Sequence, residues 1–214
     1  IGYEVIGVTM KLYEAANQSK SKTCCSGIDI ADAKSVARKL KIKHYIIDYK
    51  EKFKELVIDK FVNSYIDGQT PIPCILCNQT VKFTDLIEFT KLLKSPILAT
   101  GHYVKRIENG DDINLYQADD GSKDQSYFLF ATTQNQLKTL RFPLGNFSKS
   151  YIRELASNLG LSNAEKPDSQ DICFVTSDSY RDLVNNLNPS VNKKGIIYDI
   201  DNNILGTHDG ISNY

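Results

Sequence analysis

The chain has 214 residues, of which 41% are hydrophobic and 24% charged, a composition typical of a soluble globular protein. This length can bury one substantial core, which allows one domain and part of a second. Basic and acidic residues balance at 26 each, so net charge argues neither for nor against a nucleic-acid partner. No apolar run approaches the ~20 residues that cross a bilayer, so we expect no membrane association.

Hydrophobic periodicity predicts that strands and helices alternate over the first hundred residues. The predicted elements are a strand at 5–12, a helix at 29–40, a strand at 44–48, helices at 53–66 and 81–93, and a strand at 96–101. Strands separated by helices of this length form parallel sheets. Ligands bind such sheets beyond the carboxyl ends of the strands, so we expect Met10 and Gly101 near one rim.

Three further elements are predicted after residue 100. They are a hairpin formed by 103–107 and 113–116, a helix at 149–159, and a second hairpin formed by 196–200 and 203–206. Asn109 and Gly110 favour the tight turn of the first hairpin. Ser148 is a suitable N-cap for the helix and Gly160 a suitable end. The second hairpin predicts that an all-β region begins near the end of the chain.

Five cysteines, an odd number with no signal-peptide pattern before them, indicate a cytoplasmic protein. Cys74 and Cys77 follow Pro71 and Pro73, which predicts that both thiols lie near the start of a helix. A helix N-terminus can lower a cysteine pKa from ~8.5 towards neutrality, so this pair favours thiol chemistry or a metal cluster. A structural zinc site is the alternative, but the three histidines offer no matching ligand pair.

Cys173 follows a polar loop that begins at Pro167 and leads into an apolar segment. Considered alone, Cys173 is interpreted as a core residue because Ile172 and Phe174 flank it. The vicinal pair Cys24 and Cys25 is interpreted as packing or incidental reactivity.

Together, these segments resemble the bacterial tRNA-specific 2-thiouridylase family, in order and over essentially the whole chain. The matching segments are 2–11, 29–33, 70–78 with Lys82 and Phe83, 99–103, 123–129 and 168–174. The resemblance implies an α/β fold with a parallel sheet, of the adenine-nucleotide alpha-hydrolase-like (PP-loop ATPase) class, at 1–190. It places a helical tRNA-contacting part at about 130–165 and the start of a small β-rich domain at 191–214.

The same resemblance implies the chemistry. The family activates the C2 oxygen of the wobble uridine in tRNA with ATP and Mg²⁺, then replaces it with sulfur from a persulfide donor or relay protein. By resemblance, Cys173 receives the persulfide, Cys77 is the nucleophile, and the two can form a transient disulfide. Some members carry Asp at position 74. Cys74 therefore leaves a second route open, in which Cys74, Cys77 and Cys173 hold a [4Fe-4S] cluster.

The resemblance also assigns binding residues. Those matching adenosine contacts are Met10 and Gly101. Those matching the segment beside the target base are Ile72, Pro73 and Cys74. Those matching other tRNA contacts are His102, Lys123, Asp124 and Gln125.

By the resemblance, we expect an incomplete chain, because the family's SGGVDSS-type phosphate loop and C-terminal β-barrel are absent from it. Such a chain is expected to be inactive alone. Two other hypotheses stay open: another adenylating ligase of the same superfamily, which needs no cysteine pair, and a non-catalytic tRNA- or metal-binding remnant.

Overall fold

The computed structural model describes residues 2–13, 27–168, 172–175 and 179–211. Cys24, Cys25 and residues 169–171 lie outside this part of the chain. The strands are β1 Ile6–Lys11, β2 Lys43–Asp48, β3 Leu98–Ala99, β4 Lys105–Asn109, β5 Asp112–Tyr116, β6 Leu140–Arg141, β7 Gly195–Tyr198 and β8 Ile204–His208. The α-helices are α1 Gly27–Lys39, α2 Lys50–Phe53, α3 Asp59–Ile66, α4 Pro73–Cys77, α5 Leu86–Leu92, α6 Gln134–Thr139, α7 Lys149–Asn158 and α8 Tyr180–Leu187.

The predicted parallel pairing of the first two strands is confirmed. β1 and β2 run parallel with Ile6 opposite Lys43 and Lys11 opposite Asp48, and α1 lies between them in the chain. This β-α-β order is the one in which a helix carries the chain back to the start of the next strand.

The third predicted strand is shorter and paired differently from the expectation. β3 has two residues and runs parallel to β6, and a bond from the Thr100 amide to the Arg141 carbonyl (3.0 Å) continues the ladder. Among the described residues, β3 shares no sheet with β1 and β2. The expectation that Met10 and Gly101 lie near one rim stays a prediction, because their strands belong to separate hydrogen-bonded pairs.

Two long helical stretches lie between β2 and β3. The first comprises α2, a π-helical segment at Lys54–Ile58 and α3, and it ends before Gly68, whose φ is 71°. The second comprises α4, a π-helical segment at Asn78–Asp85 and α5. Both predicted helices are confirmed, and the second begins about eight residues earlier than 81, at Pro73. A proline fits the first helical turn because the amide that it lacks has no intrahelical acceptor there.

Two hydrophobic clusters form the core. The first contains Met10, Leu12, Tyr13, Phe53, Val57, Phe61, Val62, Cys77, Val81, Phe174, Val184 and Val191. The second contains Phe83, Val104, Ile113, Leu129, Leu137, Leu140 and Phe142. The first cluster joins β1, the helices and the segment around Cys173, whereas the second lies under the β4–β5 hairpin.

Both predicted hairpins are present. β4 and β5 pair antiparallel around Gly110, which adopts a φ of 62°, and β7 and β8 pair antiparallel with an irregularity at Ile197 and Tyr198. The helix predicted after Ser148 is also confirmed as α7, since the Ser148 hydroxyl accepts from the Tyr151 amide. None of the helices in the described ranges is long and apolar enough to span a membrane.

Candidate active site

The proline-containing segment positions Cys74 and Cys77 three residues apart in α4, with different exposure to solvent. Pro73 is the first residue of this helix, and Ile72 before it takes the extended backbone (φ −112°, ψ 87°) that a residue preceding proline adopts. Cys74 is exposed to solvent, whereas Cys77, at the other end of the helix, is 6% exposed within the first core cluster. The two thiols of this pair therefore lie in different environments.

Burial dominates the electrostatics of Cys77 and contradicts the predicted acidic thiol. The pKa of Cys77 is raised because burial disfavours the thiolate, and the charge of Lys82 opposes this only in part. A helix N-terminus does not offset this rise in pKa. Cys77 is the last residue of α4, and the backbone continues into the π-helical segment. The thiol that sequence reasoning placed at a helix start is thus held neutral in a dry environment.

Cys173 reaches the same cluster from a distant part of the sequence. It is half-buried and packs against the cluster that contains Cys77. Its neighbour Phe174 is 5% exposed and lies edge-on to Phe53 and Phe61, with ring centroids 5.6 and 5.2 Å away. The interpretation of Cys173 as a core residue is therefore correct in part, since Cys173 packs against the core but keeps part of its surface in solvent.

The three cysteines do not form a metal-ligating group. Across the described residues, no set of three or more Cys, His, Asp or Glu side chains is arranged to hold a metal ion. Because Cys74 faces solvent while Cys77 is buried, this arrangement does not fit a [4Fe-4S] cluster. Cys74, Cys77 and Cys173 are present as thiols, so the Cys77–Cys173 disulfide expected in one state is not formed in this structure.

The two residues predicted to contact adenosine lie in separate sheets. Met10 is 8% exposed near the carboxyl end of β1, and Gly101 is exposed just after β3. A Cβ added at Gly101 would approach no atom closer than the Leu144 Cδ1 at 3.8 Å, and the backbone φ is not positive. The fold itself therefore does not require glycine there.

His102 is enclosed by aromatic rings. Its ring centroid lies 5.8 Å from Phe83 and 6.3 Å from Phe142, and its Nδ1 hydrogen-bonds the Thr100 hydroxyl at 2.9 Å. Burial, aided by the charge of Lys82, lowers the pKa of His102 to about 3. The imidazole is therefore neutral at physiological pH and can act only as a neutral hydrogen-bonding group.

Two of the predicted tRNA contacts serve the protein's own backbone. The Asp124 carboxylate accepts from the Ala118 amide (2.8 Å) and the Ser126 hydroxyl (2.6 Å). The Gln125 side-chain oxygen accepts from the Tyr103 amide at 3.1 Å, and the Gln125 amide donates to the Tyr103 carbonyl at 2.9 Å. These bonds fix the loop that presents Lys123.

Lys123 belongs to a cluster of cations around one carboxylate. Asp168 accepts from Lys123 (2.9 Å), Lys149 (3.1 Å) and Arg153 (3.3 Å). Hydrogen bonds from Lys123 and then Lys149 lower the pKa of Asp168 to about 2. Lys149 also lies 5.5 Å from the centre of the Tyr103 ring. We call Lys123, Lys149 and Arg153 the basic cluster.

Comparison with known proteins identifies the family. A family model described as the tRNA methyl transferase HUP domain matches residues 1–177. The chain belongs to this family. Membership confirms the α/β, adenine-nucleotide alpha-hydrolase-like class that the resemblance predicted.

Individual relatives of this HUP-domain chain carry a more specific name. The chain is 52% identical to the tRNA-specific 2-thiouridylase of Anaplasma marginale, 54% to that of Orientia tsutsugamushi and 55% to that of Wolbachia pipientis. Each match covers 100% of this chain. The chain spans 55% to 58% of the length of these curated relatives.

Two members of the basic cluster, Lys149 and Arg153, were not predicted from the sequence of this HUP-domain protein. Lys149 and Arg153 stand four residues apart after the Ser148 cap, so they share one face of α7. That spacing was a usable indication of a cationic face. It did not reveal Asp168, because the acidic partner comes from beyond the end of the helix.

Proposed function

We propose that the chain supplies the thiol chemistry and part of the substrate-binding surface for 2-thiolation of the wobble uridine in tRNA. One observation carries the proposal: Cys77 and Cys173, far apart in sequence, pack into one core cluster. They do so in a chain that is 52% to 55% identical along its whole length to proteins named tRNA-specific 2-thiouridylase.

The proposed sulfur transfer balances with two thiols and a persulfide donor. The uridine C2 oxygen attacks the α-phosphorus of Mg²⁺-bound ATP and displaces pyrophosphate, so the adenylated oxygen becomes a leaving group. Cys173 carries the persulfide, whose outer sulfur forms the new bond to C2 as AMP departs with the oxygen. The Cys77 thiolate then attacks the Cys173 Sγ, which breaks the S–S bond and leaves sulfur on the base. The resulting Cys77–Cys173 disulfide returns to two thiols by exchange with an external dithiol.

The burial of Cys77 suits this order of events. A neutral buried thiol is a poor nucleophile, so Cys77 does not attack before the site changes. The charge of Lys82 favours the thiolate, and the desolvation that outweighs this effect in the buried state falls when the site opens to solvent. We therefore propose that Lys82 stabilises the thiolate form of Cys77.

Contacts with adenosine and with the target base are also proposed. Gly101 leaves its backbone open to adenosine, and Met10 lies at the carboxyl end of β1, where parallel sheets receive ligands. Ile72 and Cys74 are exposed beside the buried Pro73, where an unpaired uridine can reach α4.

The remaining proposed tRNA contacts lie between Cys77 and Cys173 in the chain. Lys123 is the proposed phosphate partner, and His102 a neutral hydrogen-bonding contact. Asp124 and Gln125 belong to the proposed tRNA-contacting loop. Their bonds to the Ala118 and Tyr103 amides hold that loop in position.

Domain limits and cellular location stay predictions. We propose a nucleotide-binding and thiolation domain over 1–190, with tRNA contacts at about 130–165, and the start of a β-rich domain at 191–214. The cytoplasmic location rests on the cysteine content alone.

A chimaera tests the proposed function. This chain replaces the matching 58% of the Wolbachia pipientis relative, and 2-thiouridine is measured in unmodified tRNA with ATP, Mg²⁺, a persulfide donor and a dithiol. We expect thiolation, and loss of more than ~100-fold in Cys77→Ser and in Cys173→Ser.

Cys74→Ser is the matched control in this assay. It removes a third thiol from the same helix, and the persulfide route predicts retained activity. Loss in Cys74→Ser equal to that in Cys77→Ser would favour a three-cysteine centre. Methylated rather than thiolated uridine, or thiolation that persists without Cys77 and Cys173, would contradict the proposal.

A further inference from the structure

Two exposed aromatic side chains lie on one face of the short 3₁₀ helix at Ser126–Leu129. Tyr127 is 62% exposed, and Phe130, the residue that caps the helix, is 71% exposed. Because a 3₁₀ helix has about three residues per turn, positions 127 and 130 lie one above the other. Leu129, in contrast, is buried in the second core cluster. The turn therefore packs one side chain into the core and presents two rings to solvent, which we call the aromatic pair.

The backbone that carries the aromatic pair is fixed by the protein's own hydrogen bonds. The Phe128 amide donates to the Gln125 carbonyl at 3.1 Å, and the Ser126 hydroxyl donates to the Asp124 carboxylate at 2.6 Å. Asp124 in turn accepts from the Ala118 amide at 2.8 Å. A ring on a fixed backbone loses little conformational freedom when a ligand stacks on it, so this mounting favours binding.

A hydrogen bond connects this turn to the helix of the proposed nucleophile. Asn78, the residue after Cys77, is buried and donates its side-chain amide to the Phe128 carbonyl at 3.3 Å. The 3₁₀ helix also contacts α4 itself. The aromatic pair is thus mounted beside α4, whose exposed residues Ile72 and Cys74 are the proposed neighbours of the target base.

The charges near the aromatic pair favour a polyanion as the ligand. Lys123 stands four residues before Tyr127 in the same segment, and its ammonium group belongs to the basic cluster. The three cations of that cluster share one carboxylate, that of Asp168, which leaves an excess of positive charge. Aromatic rings close to cations are typical of sites for single-stranded RNA, because unpaired bases stack on the rings while phosphates pair with the cations.

We propose that Tyr127 and Phe130 form a stacking platform for an unpaired base of the tRNA anticodon loop, which holds that loop beside α4. The ligand is taken from the proposed function, on which this inference therefore rests. Both residues bind a base and do not touch the reacting atoms. Every base has a face that can stack, so the platform contributes affinity and position, whereas recognition of uridine falls to groups nearer Cys77.

Removing the ring and the base separately tests the proposal. The affinity of the chain is measured by fluorescence anisotropy for a labelled anticodon stem-loop, and for stem-loops with an abasic residue at the wobble position or at either neighbour. Tyr127→Ala should weaken binding of the intact loop roughly five- to 100-fold, and Phe130→Ala should act in the same direction. One abasic loop should bind the wild-type chain with a similar loss, and Tyr127→Ala should cause no further loss with that loop.

Two variants serve as controls for this cycle. Tyr127→Phe keeps the ring and should bind the intact loop as the wild-type chain does. Tyr3→Ala removes an aromatic side chain that is 75% exposed before β1, and it should leave the affinity unchanged. A Tyr127 that merely supports the fold would weaken binding of the intact loop and of all three abasic loops by the same factor, and that result would overturn the inference.

The chain contains no tryptophan, so stacking can be observed directly. Tyr127→Trp introduces a single indole, whose fluorescence should be quenched by the intact loop and not by the abasic loop identified above. Tyr3→Trp is the matched control and should not respond to either RNA. Quenching of Tyr127→Trp by ATP–Mg²⁺ and not by RNA would assign the platform to a nucleotide and contradict the proposal.

The chimaera with the Wolbachia pipientis relative separates this inference from the proposed function. If Tyr127→Ala destabilises the chimaera but leaves its RNA affinity unchanged, the relative's own segment covers the rings and the inference fails. If neither the chain nor the chimaera binds the intact stem-loop, the proposed function fails together with the inference. Thiolation that depends on Cys77 but does not respond to loss of either ring removes the inference alone.

Discussion

At the scale of single residues, burial sets the protonation of His102. Its pKa of about 3 lies below the ~6.5 of an exposed histidine, so the unfolded chain takes up a proton that the folded chain refuses. The free energy of unfolding should therefore fall as pH drops below ~6.5, by up to ~1.4 kcal/mol per pH unit.

His102→Gln tests this protonation. Urea unfolding of both proteins at pH 7, 6 and 5 should show the stability difference shifting towards the variant as pH falls. Carboxylates titrate equally in both proteins and cancel in the difference. Parallel pH profiles would show that His102 is protonated as easily in the folded state as in the unfolded chain.

Two glycines are expected to respond differently to substitution by alanine. A Cβ at Gly145 would overlap the carbonyl of Val104, whereas a Cβ at Gly101 would meet nothing closer than 3.8 Å. Gly145→Ala should therefore lower the free energy of unfolding by about 1–3 kcal/mol, because the backbone must move. The Gly101→Ala variant should unfold at the same urea concentration as the wild-type chain, but it should bind ATP more weakly. Equal stability losses would contradict the ligand-based reason for Gly101.

Residue types alone did not separate binding groups from structural groups. Asp124 and Gln125 carry polar side chains in a segment that matches the family's tRNA contacts, yet both bond backbone amides of this chain. Cys77 was expected to be acidic from its position near a helix start, but burial outweighs that effect and raises its pKa. For Gln125 the bonded amide of Tyr103 is 22 residues away in sequence, whereas the Ala118 amide bonded by Asp124 is only six residues away.

At the scale of elements, Phe174 is the link between the cysteine segment and the helices. It is 5% exposed between Phe53 and Phe61, so Phe174→Ala should cost about 3–5 kcal/mol in the free energy of unfolding. Phe130→Ala, at a position that is 71% exposed, should change stability by less than ~0.5 kcal/mol. Urea unfolding of the two variants checks both values, and a Phe174→Ala loss as small as the control would place Phe174 outside the core.

Helices and hairpins were predictable because their determinants are local. The apolar spacing of α1, the Ser148 cap of α7 and the Gly110 turn of the first hairpin are all visible in the sequence. The π-helical segments and the pairing of β3 with β6 were not predicted. A two-residue strand has no periodicity, and its partner lies about forty residues later, where only tertiary packing selects it.

At the scale of the whole molecule, three segments that lie far apart in the sequence meet at one core. β1 contributes Met10, α4 contributes Cys77, and the segment from 172 to 175 contributes Phe174. The family resemblance predicted that Cys77 and Cys173 come together, which no periodicity or spacing could show. The ion pairs around Asp168 also needed the folded chain, since they join a loop, a helix and the cysteine segment.

The central claim is that Cys77 and Cys173 act as a pair, and oxidation of the chain tests it most directly. Disulfides formed with diamide are mapped by non-reducing peptide mass spectrometry, with Cys74→Ser as the control that keeps both partners. We predict a dominant Cys77–Cys173 link, retained in Cys74→Ser, because both residues pack into one cluster and a disulfide requires Cα atoms within ~7 Å. A dominant Cys74–Cys77 link, or a Cys173 that remains alkylatable after Cys77 is oxidised, would contradict the account.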